Sequence, residues 1–419
     1  MDDFYQSYLT EFKDAKTGKR RFRGLLVYKE SGKRKQKTKV FSREIKTKSD
    51  ADKQLAKWKE EMEAARSTPE ASLSVADFVS RYISAQETRG TVEASTVAGY
   101  RTIEKRIKAR FSGIAMRDLK STDIEKWETS LLKSGLSNST VAKSHKLLKQ
   151  VCVYAVKAHV LTWNPCDPVK PPKVSYSEPR ALDHDGCDKL ITKLDALEPS
   201  AFVTAVYIAL FTGMRQGEIC ALQWRNVDLE SEEIRVSKAV GNGTGGAYLK
   251  ETKNKASVRT VPLPSQLVEA LNRRMTAQFA EWAKSRLAVG LPATDKDFES
   301  VFVVGSSDPD SSFKNPNLLG KEWHRFAIDN GIKDSGGRVL KFHGLRDTYA
   351  TIAITGGADI VSVSANLGHA NKAMTLNKYA SANKGGQRRA ADTVGREMQP
   401  KKQADVLSLK ATGTEGGRL

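Results

Sequence analysis

The sequence predicts a mainly α protein with small antiparallel sheets, an α+β chain in three parts. Three observations carry that expectation. Residues 74 to about 164 keep apolar positions at helical spacing. Short β-prone runs cluster near the N-terminus and again at 234–263. Two breaks separate these blocks: a small polar stretch with one proline at 63–72, and a proline-rich stretch at 166–177. A length of 419 residues supplies more than one core. The expected division is a β-sheet-plus-helix unit at 1–62, a linker at 63–72, a helical domain at 73–165, an interdomain linker at 166–177, a mixed domain at 178–398 and a flexible tail at 399–419.

The first unit reads as a hairpin followed by a helix. The runs Arg21–Tyr28 and Lys37–Phe41 flank a turn at Ser31-Gly32-Lys33. The helix spans Lys48 to about Ala64, with Leu55, Trp58 and Met62 on one face. Between Lys13 and Lys48 there are 15 Lys and Arg against 3 Asp and Glu. A small sheet with a basic open face and a helix behind it can lie against a DNA groove.

The helical block divides near 74–88, 95–110, 122–134 and 138–159. Ser74 with Asp77, and Thr122 with Glu125, read as capping boxes. Leu147, Val151 and Tyr154 mark one apolar face, while Arg101, Lys105, Arg106, Lys108, Arg110, Lys143, Lys146 and Lys149 make the polar faces basic. Pro165, Pro168, Pro171 and Pro172 then forbid a continuous helix and favour an extended strap.

Beyond the strap, an apolar helix from Phe202 to Phe211 ends at Thr212-Gly213, and a second starts near Arg215. Strand-like runs at 234–240, 248–252 and 258–263, with glycine turns at 241–246, read as one small antiparallel sheet. Helices resume near 264–286, 316–330, 343–355, 359–367 and 371–379, with a loop at 305–317 and a basic helix at 384–398.

Charge narrows the function classes. Lys plus Arg is 69 and Asp plus Glu is 49, a net charge of +20 with pI about 9.6. Such an excess calls for a polyanion, with nucleic acid first. There is no bilayer-length apolar run and no signal-peptide pattern at the N-terminus, which points to the cytoplasm and away from a membrane. Cys152, Cys166, Cys187 and Cys220 lack CxxC spacing, so they read as free thiols with no zinc site, and no metal ligand set is expected. No Walker A pattern is present, and no cofactor is expected.

Six side chains, unremarkable one by one, fit a single reaction in series: Arg215, Lys253, His343, Arg346, His369 and Tyr379. Cutting a phosphodiester without metal needs cations on the non-bridging oxygens, which two planar guanidiniums supply. It needs a nucleophile, and a phenol can keep the bond energy in a phosphotyrosine. A lysine can protonate the leaving oxygen, and a histidine titrating near neutrality can take the phenol's proton. Lys255 stands two residues from Lys253 and is the alternative proton donor. His145, His159, His184 and His324 match no such role, and Trp224 reads as packing below the Arg215 helix.

The chain resembles the tyrosine recombinases, specifically integrases of temperate phages and conjugative transposons. The matching pieces are Thr212-Gly213-Met214-Arg215-Gln216-Gly217-Glu218 with Ala221-Leu222-Gln223-Trp224, and Thr252-Lys253-Asn254-Lys255 with Arg259-Thr260-Val261-Pro262-Leu263. His343-Gly344-Leu345-Arg346-Asp347-Thr348-Tyr349-Ala350-Thr351 and Leu367-Gly368-His369 with Tyr379 complete the series. The resemblance covers residues about 74 to 395.

It implies an N-terminal arm-type DNA-binding domain, a SAM-like helical core-binding domain and a catalytic domain. It implies that Arg215 and Arg346 clamp the scissile phosphate and that Lys253 protonates the leaving 5′ oxygen. His343 would serve as acid/base, His369 would bond the phosphate, Tyr379 would attack, and Glu218 would orient the site from behind. A homo-tetramer on double-stranded DNA with core and arm sites, a host DNA-bending protein and an excisionase complete the family's picture, in a bacterial, nucleoid-associated setting. The rival functions are a type IB topoisomerase-like enzyme and a DNA-binding regulator whose site has decayed.

Overall fold

The computed structural model describes residues 4–14, 18–30, 33–42, 44–67, 69–174, 180–252 and 257–369, together with 392, 394, 395 and 398. Lys253, Lys255, Tyr379, the expected helix at 371–379, most of that at 384–398 and the expected tail lie outside the described residues. The chain divides into two compact units, residues 1–176 with 242–248, and residues 177–241 with 249–419.

The first unit begins with three antiparallel strands, β1 (Phe4–Lys13), β2 (Arg20–Glu30) and β3 (Lys33–Val40), with β2 in the centre. The sequence reading had missed β1. Helix α1 (Lys48–Ser67) covers one face, where Phe22, Leu26, Tyr28 and Phe41 meet Leu55, Trp58 and Met62. Gly24 is required there, because an added Cβ would stand 2.8 Å from Phe41 Cζ and 2.9 Å from Leu55 Cδ1.

The register divides the basic residues between the two faces. Directly paired residues share a face of an antiparallel sheet. Lys37 opposes Leu26 and Lys39 opposes Gly24, so both lie on the helix side. Lys39 Nζ stands 5.7 Å from the Trp58 ring centroid, its stem laid along the core edge. The open face carries the basic positions Arg21, Arg23 and Lys29, the last opposite Arg34, with Leu25 beside Tyr8.

The linker expected at 63–72 is almost entirely helical. α1 continues to Ser67, and α2 (Pro69–Ser72) opens on a proline. Glu63-Ala64-Ala65-Arg66 are good helix formers, and Pro is tolerated at a first helical position.

Four longer helices follow: α3 (Val75–Thr88), α4 (Ala94–Phe111), α5 (Ser121–Lys133) and α6 (Asn138–Lys157). Ser74 caps α3 as read, its Oγ accepting from Asp77 N–H at 3.0 Å. α5 begins earlier than read: Asp123, not Glu125, closes its cap, accepting from Lys120 N–H at 3.3 Å. Ile83, Ile107, Phe111, Trp127, Leu147 and Val151 fill the core, but Tyr154 lies 39% exposed, 5.4 Å from the Tyr82 ring. The strap starts later than read, because Cys166 and Val169 pack into this same core. Ser121 Oγ holds the Pro165 carbonyl at 2.8 Å, and Asn138 Nδ2 holds that of Lys173 at 3.0 Å. Of the basic residues on α4, Arg101 and Lys108 are paired with the buried Glu104 at 3.2 and 3.1 Å.

In the second unit, α7 (His184–Asp195) precedes α8 (Ala201–Thr212), which is buried on nearly every side, as its apolar run demands. The short α9 (Gln216–Cys220) leads to β4 (Val227–Asp228), β5 (Glu233–Val236), β6 (Lys238–Gly243), β7 (Gly246–Glu251) and β8 (Arg259–Pro262), with residues 242–248 of β6 and β7 belonging to the first unit. The single expected sheet is two: β4-β5-β8, and the pair β6-β7. Five helices complete the unit: α10 (Ser265–Ala288), α11 (Asp295–Phe298), α12 (Pro316–Asp329), α13 (Phe342–Thr355) and α14 (Ile360–Leu367). α8 packs against α10, α12 and α13. Trp224 is buried, as read, and donates to Gln278 Oε1 at 3.0 Å. No helix among the described residues is long and apolar enough to cross a membrane.

Candidate active site

The site is built where α8 ends, α9 begins and α14 ends. Gly213 terminates α8 in the left-handed region, with φ 63°. A Cβ there would stand 2.6 Å from Tyr349 Cδ1 and 2.7 Å from Leu367 Cδ2, so the turn admits no side chain. Met214 is buried and anchors the turn. Arg215 then becomes the N-cap of α9. Glu218, at the third helical position, accepts the Arg215 backbone N–H at 2.8 Å and its Nη1 at 2.9 Å. Gly217 lets this turn press on β6, since a Cβ would meet the Val240 carbonyl oxygen at 2.5 Å.

Arg346 arrives from α13 and is 3% exposed. Its Nη1 donates to the Gly213 carbonyl and its Nη2 to the Leu367 carbonyl, both at 2.7 Å. Arg215 Nη2 donates to the next carbonyl, Gly368, at 3.1 Å. Gly368 caps α14 with φ 65°, turning the chain into His369, whose backbone N–H donates to Ser364 O at 3.1 Å. His369 is half-buried. His343 lies on α13 three residues before Arg346, as the spacing predicts, and is exposed.

Arg215, Glu218, Arg346 and His369 therefore meet around one backbone turn. Lys253 and Tyr379 lie outside the described residues, and so does Lys255. Of the described residues flanking the lysine segment, β7 before it and β8 after it belong to different sheets, and Thr252 N–H donates to Ser237 O at 3.1 Å.

Arg259 lies in the matching series, which assigns it no role. Its Nη1 and Nη2 donate to Glu218 Oε1 and Oε2 at 3.2 and 2.9 Å. Its Nε donates to the Asn366 carbonyl at 2.6 Å. Alternation along β8 could have flagged it, since Arg259 shares a face with Val261, which is 1% exposed. Burial alone would push the Glu218 carboxyl up. Hydrogen bonding and charge from Arg259, then the charge and backbone N–H of Arg215, outweigh it and hold the carboxyl below its ordinary value.

The histidines read as bystanders lie elsewhere. His184 and His324 are exposed, and His145 is buried against Glu128, Nδ1 to Oε1 at 2.6 Å. Among the described residues no cluster of His, Cys, Asp and Glu could hold a metal ion.

Comparison with known proteins meets the same residues. The Phage integrase family model matches residues 180–385. A XerC-like tyrosine recombinase of Caldanaerobacter subterraneus subsp. tengcongensis is 29% identical over 282 residues, covering 64% of this chain and 68% of the relative. The ICEBs1 integrase of Bacillus subtilis is 25% identical over 337 residues, 80% of this chain and 87% of the relative. In fold, the chain matches a Tn1549 transposon integrase solved with a circular intermediate DNA, with TM-score 0.62 at 22% identity over 77% of this chain and all of that one. It also matches a lambda integrase dimer bound to a core site, with TM-score 0.53 at 15% identity over 87% and 93% of the two chains. The matched span holds both arginines, Glu218 and His369 around one turn, and residues 180–385 carry the Phage integrase family domain that the tyrosine recombinases share.

Proposed function

We propose that this site-specific recombinase integrates and excises a mobile element by strand exchange through a 3′-phosphotyrosyl intermediate. The observation that carries the proposal is the convergence of Arg215 and Arg346 on successive carbonyls of one turn. Two guanidiniums held side by side match the non-bridging oxygens of one phosphodiester and supply the charge neutralisation that cleavage needs. The scheme calls for no metal or cofactor.

In the proposed reaction the Tyr379 phenolate oxygen attacks the phosphorus, and the bond to the 5′ oxygen breaks. His343 takes the phenol proton, and Lys253 delivers one to the leaving oxygen. His369 bonds a non-bridging oxygen, and Glu218 orients Arg215. Rejoining reverses each step with a different 5′ hydroxyl, so the exchange conserves bonds and protons.

The relatives frame the assembly. The lambda integrase has been solved as a tetramer on a Holliday junction. By analogy, this chain would act as a homo-tetramer holding two duplexes. Its N-terminal sheet would bind arm sites while the helical and catalytic domains hold core sites. A host DNA-bending protein and an excisionase would set direction, in the bacterial cytoplasm at the nucleoid. The net charge of +20 supports a DNA partner.

A nicked suicide substrate carrying the core site tests the proposal. The wild-type protein should accumulate a covalent adduct, and Tyr379→Phe none. Tight binding with no adduct from either protein would overturn it.

A further inference from the structure

We infer that Arg259 is a positioning residue for cleavage: it takes the larger share of Glu218, so that Arg215 keeps its charge for the DNA phosphate. The inference rests on the reading of Arg215 as a phosphate clamp.

One carboxylate serves two guanidiniums here. Arg259 grips it fork to fork, Nη1 to Oε1 at 3.2 Å and Nη2 to Oε2 at 2.9 Å. Arg215 reaches it with one side-chain N–H, Nη1 to Oε1 at 2.9 Å, while Oε2 takes its backbone N–H. One negative charge against two positive leaves one positive charge over. Exposure places that charge at Arg215, whose side chain is 39% exposed against 7% for Arg259.

Arg259 also fixes the turn that both clamp arginines touch. Its Nε holds the Asn366 carbonyl at 2.6 Å, immediately before the Leu367 and Gly368 carbonyls that accept from Arg346 and Arg215. A Cβ on Gly368 would stand 2.9 Å from Arg259 Nη1, so the guanidinium lies flat against that glycine. Its Nη1 further donates to Ser257 O at 3.2 Å. We read Arg259, its fork closed on Glu218 and its side chain 7% exposed, as acting through Arg215 rather than on the phosphate.

Removing the fork lets Glu218 turn onto Arg215 and cancel the charge the phosphate needs. Misplacement on that scale lowers cleavage by about 100-fold. Core-site affinity, spread over many phosphates, should hold.

The test uses the full chain and two suicide substrates. One carries the natural scissile phosphate. The other carries a methylphosphonate, whose neutral linkage does not need the cation. Arg259→Lys and Arg259→Gln should lose about 100-fold on the phosphate and little on the methylphosphonate, and Arg215→Ala should behave the same way. Equal loss on both substrates by the Arg259 variants, with Arg215→Ala rescued, would overturn the inference and leave the clamp reading standing. No rescue of Arg215→Ala would overturn the clamp reading and the inference with it. If circular dichroism shows both Arg259 variants unfolded, the residue is a fold element and the inference fails.

Discussion

Arg215 and Arg346 donate to consecutive carbonyl oxygens, Gly368 at 3.1 Å and Leu367 at 2.7 Å. Two residues far apart in sequence are thus indexed to one turn, and the spacing of their guanidiniums follows from the spacing of two peptide units. The Gly213 carbonyl closes the arrangement from the other side, accepting Arg346 Nη1 at 2.7 Å. The acceptors of the clamp are all backbone carbonyls, so their spacing does not depend on any side-chain rotamer.

The two arginines should separate in stability while agreeing in activity. Each alanine variant should lose cleavage by about 3 kcal/mol or more in barrier, the scale of one missing transition-state donor. Arg346→Ala also strands two buried carbonyls and should unfold about 2 kcal/mol more easily. Arg215, 39% exposed, should cost far less stability. Urea melts beside suicide-substrate rates would show the split, and equal destabilisation would contradict it.

Glu218 gives a pH signature. Its carboxyl is held below its ordinary value, so its contribution is full above the unfolded carboxylate pKa of about 4.3 and fades as pH falls through the folded value. Glu218→Gln leaves buried Arg259 short of its partner and should cost about 3 kcal/mol at pH 7. As pH falls below the unfolded value and on through the lowered folded one, the wild type protonates and the two stabilities should converge. A gap that stays constant or widens in acid would refute the pairing.

Two glycines with nearly the same backbone angle isolate crowding from strain. Gly213 has φ 63° and Gly90 has φ 61°, but a Cβ meets Tyr349 and Leu367 at Gly213 and nothing within 4 Å at Gly90. Gly90→Ala should cost about 1 kcal/mol. Gly213→Ala should cost about 2 kcal/mol more and depress cleavage, since the Gly213 carbonyl holds Arg346. Equal costs in thermal melts would mean the turn yields freely.

Removing the N-terminal sheet should uncouple two DNA activities. Because α1 runs to Ser67, the clean truncation begins at residue 69 rather than at 63. That chain should lose arm-site binding and integration yet still cleave core sites, with affinity falling steeply as salt rises. Loss of core-site cleavage by the truncated chain would show that the sheet supports the catalytic half.

The legible parts of this chain were those with local signatures. Ser74 with Asp77 announced α3, and the unbroken apolar run to Phe211 announced a buried α8. Arg215 and Glu218 took their roles from the family resemblance, and a helix start does place them three apart. The acceptors of Arg215 and Arg346 were not, since carbonyls carry no residue identity and the turn exists only in tertiary structure. Arg259 escaped because a lone arginine on a short strand reads as solvated, although alternation puts it inward with Val261. The lysines of β3 misled in the opposite way: charge suggested an open face, and register placed Lys37 and Lys39 beside the core. Thr122 with Glu125 fitted a capping pattern, but Asp123 lay closer to the true helix start.

The most direct measurement is mass spectrometry of the protein trapped on a suicide substrate, trimmed with nuclease and digested. The account predicts one nucleotide-bearing peptide, its phosphate ester mapped to Tyr379. An ester on any other residue, or none from protein that cleaves DNA, would contradict it.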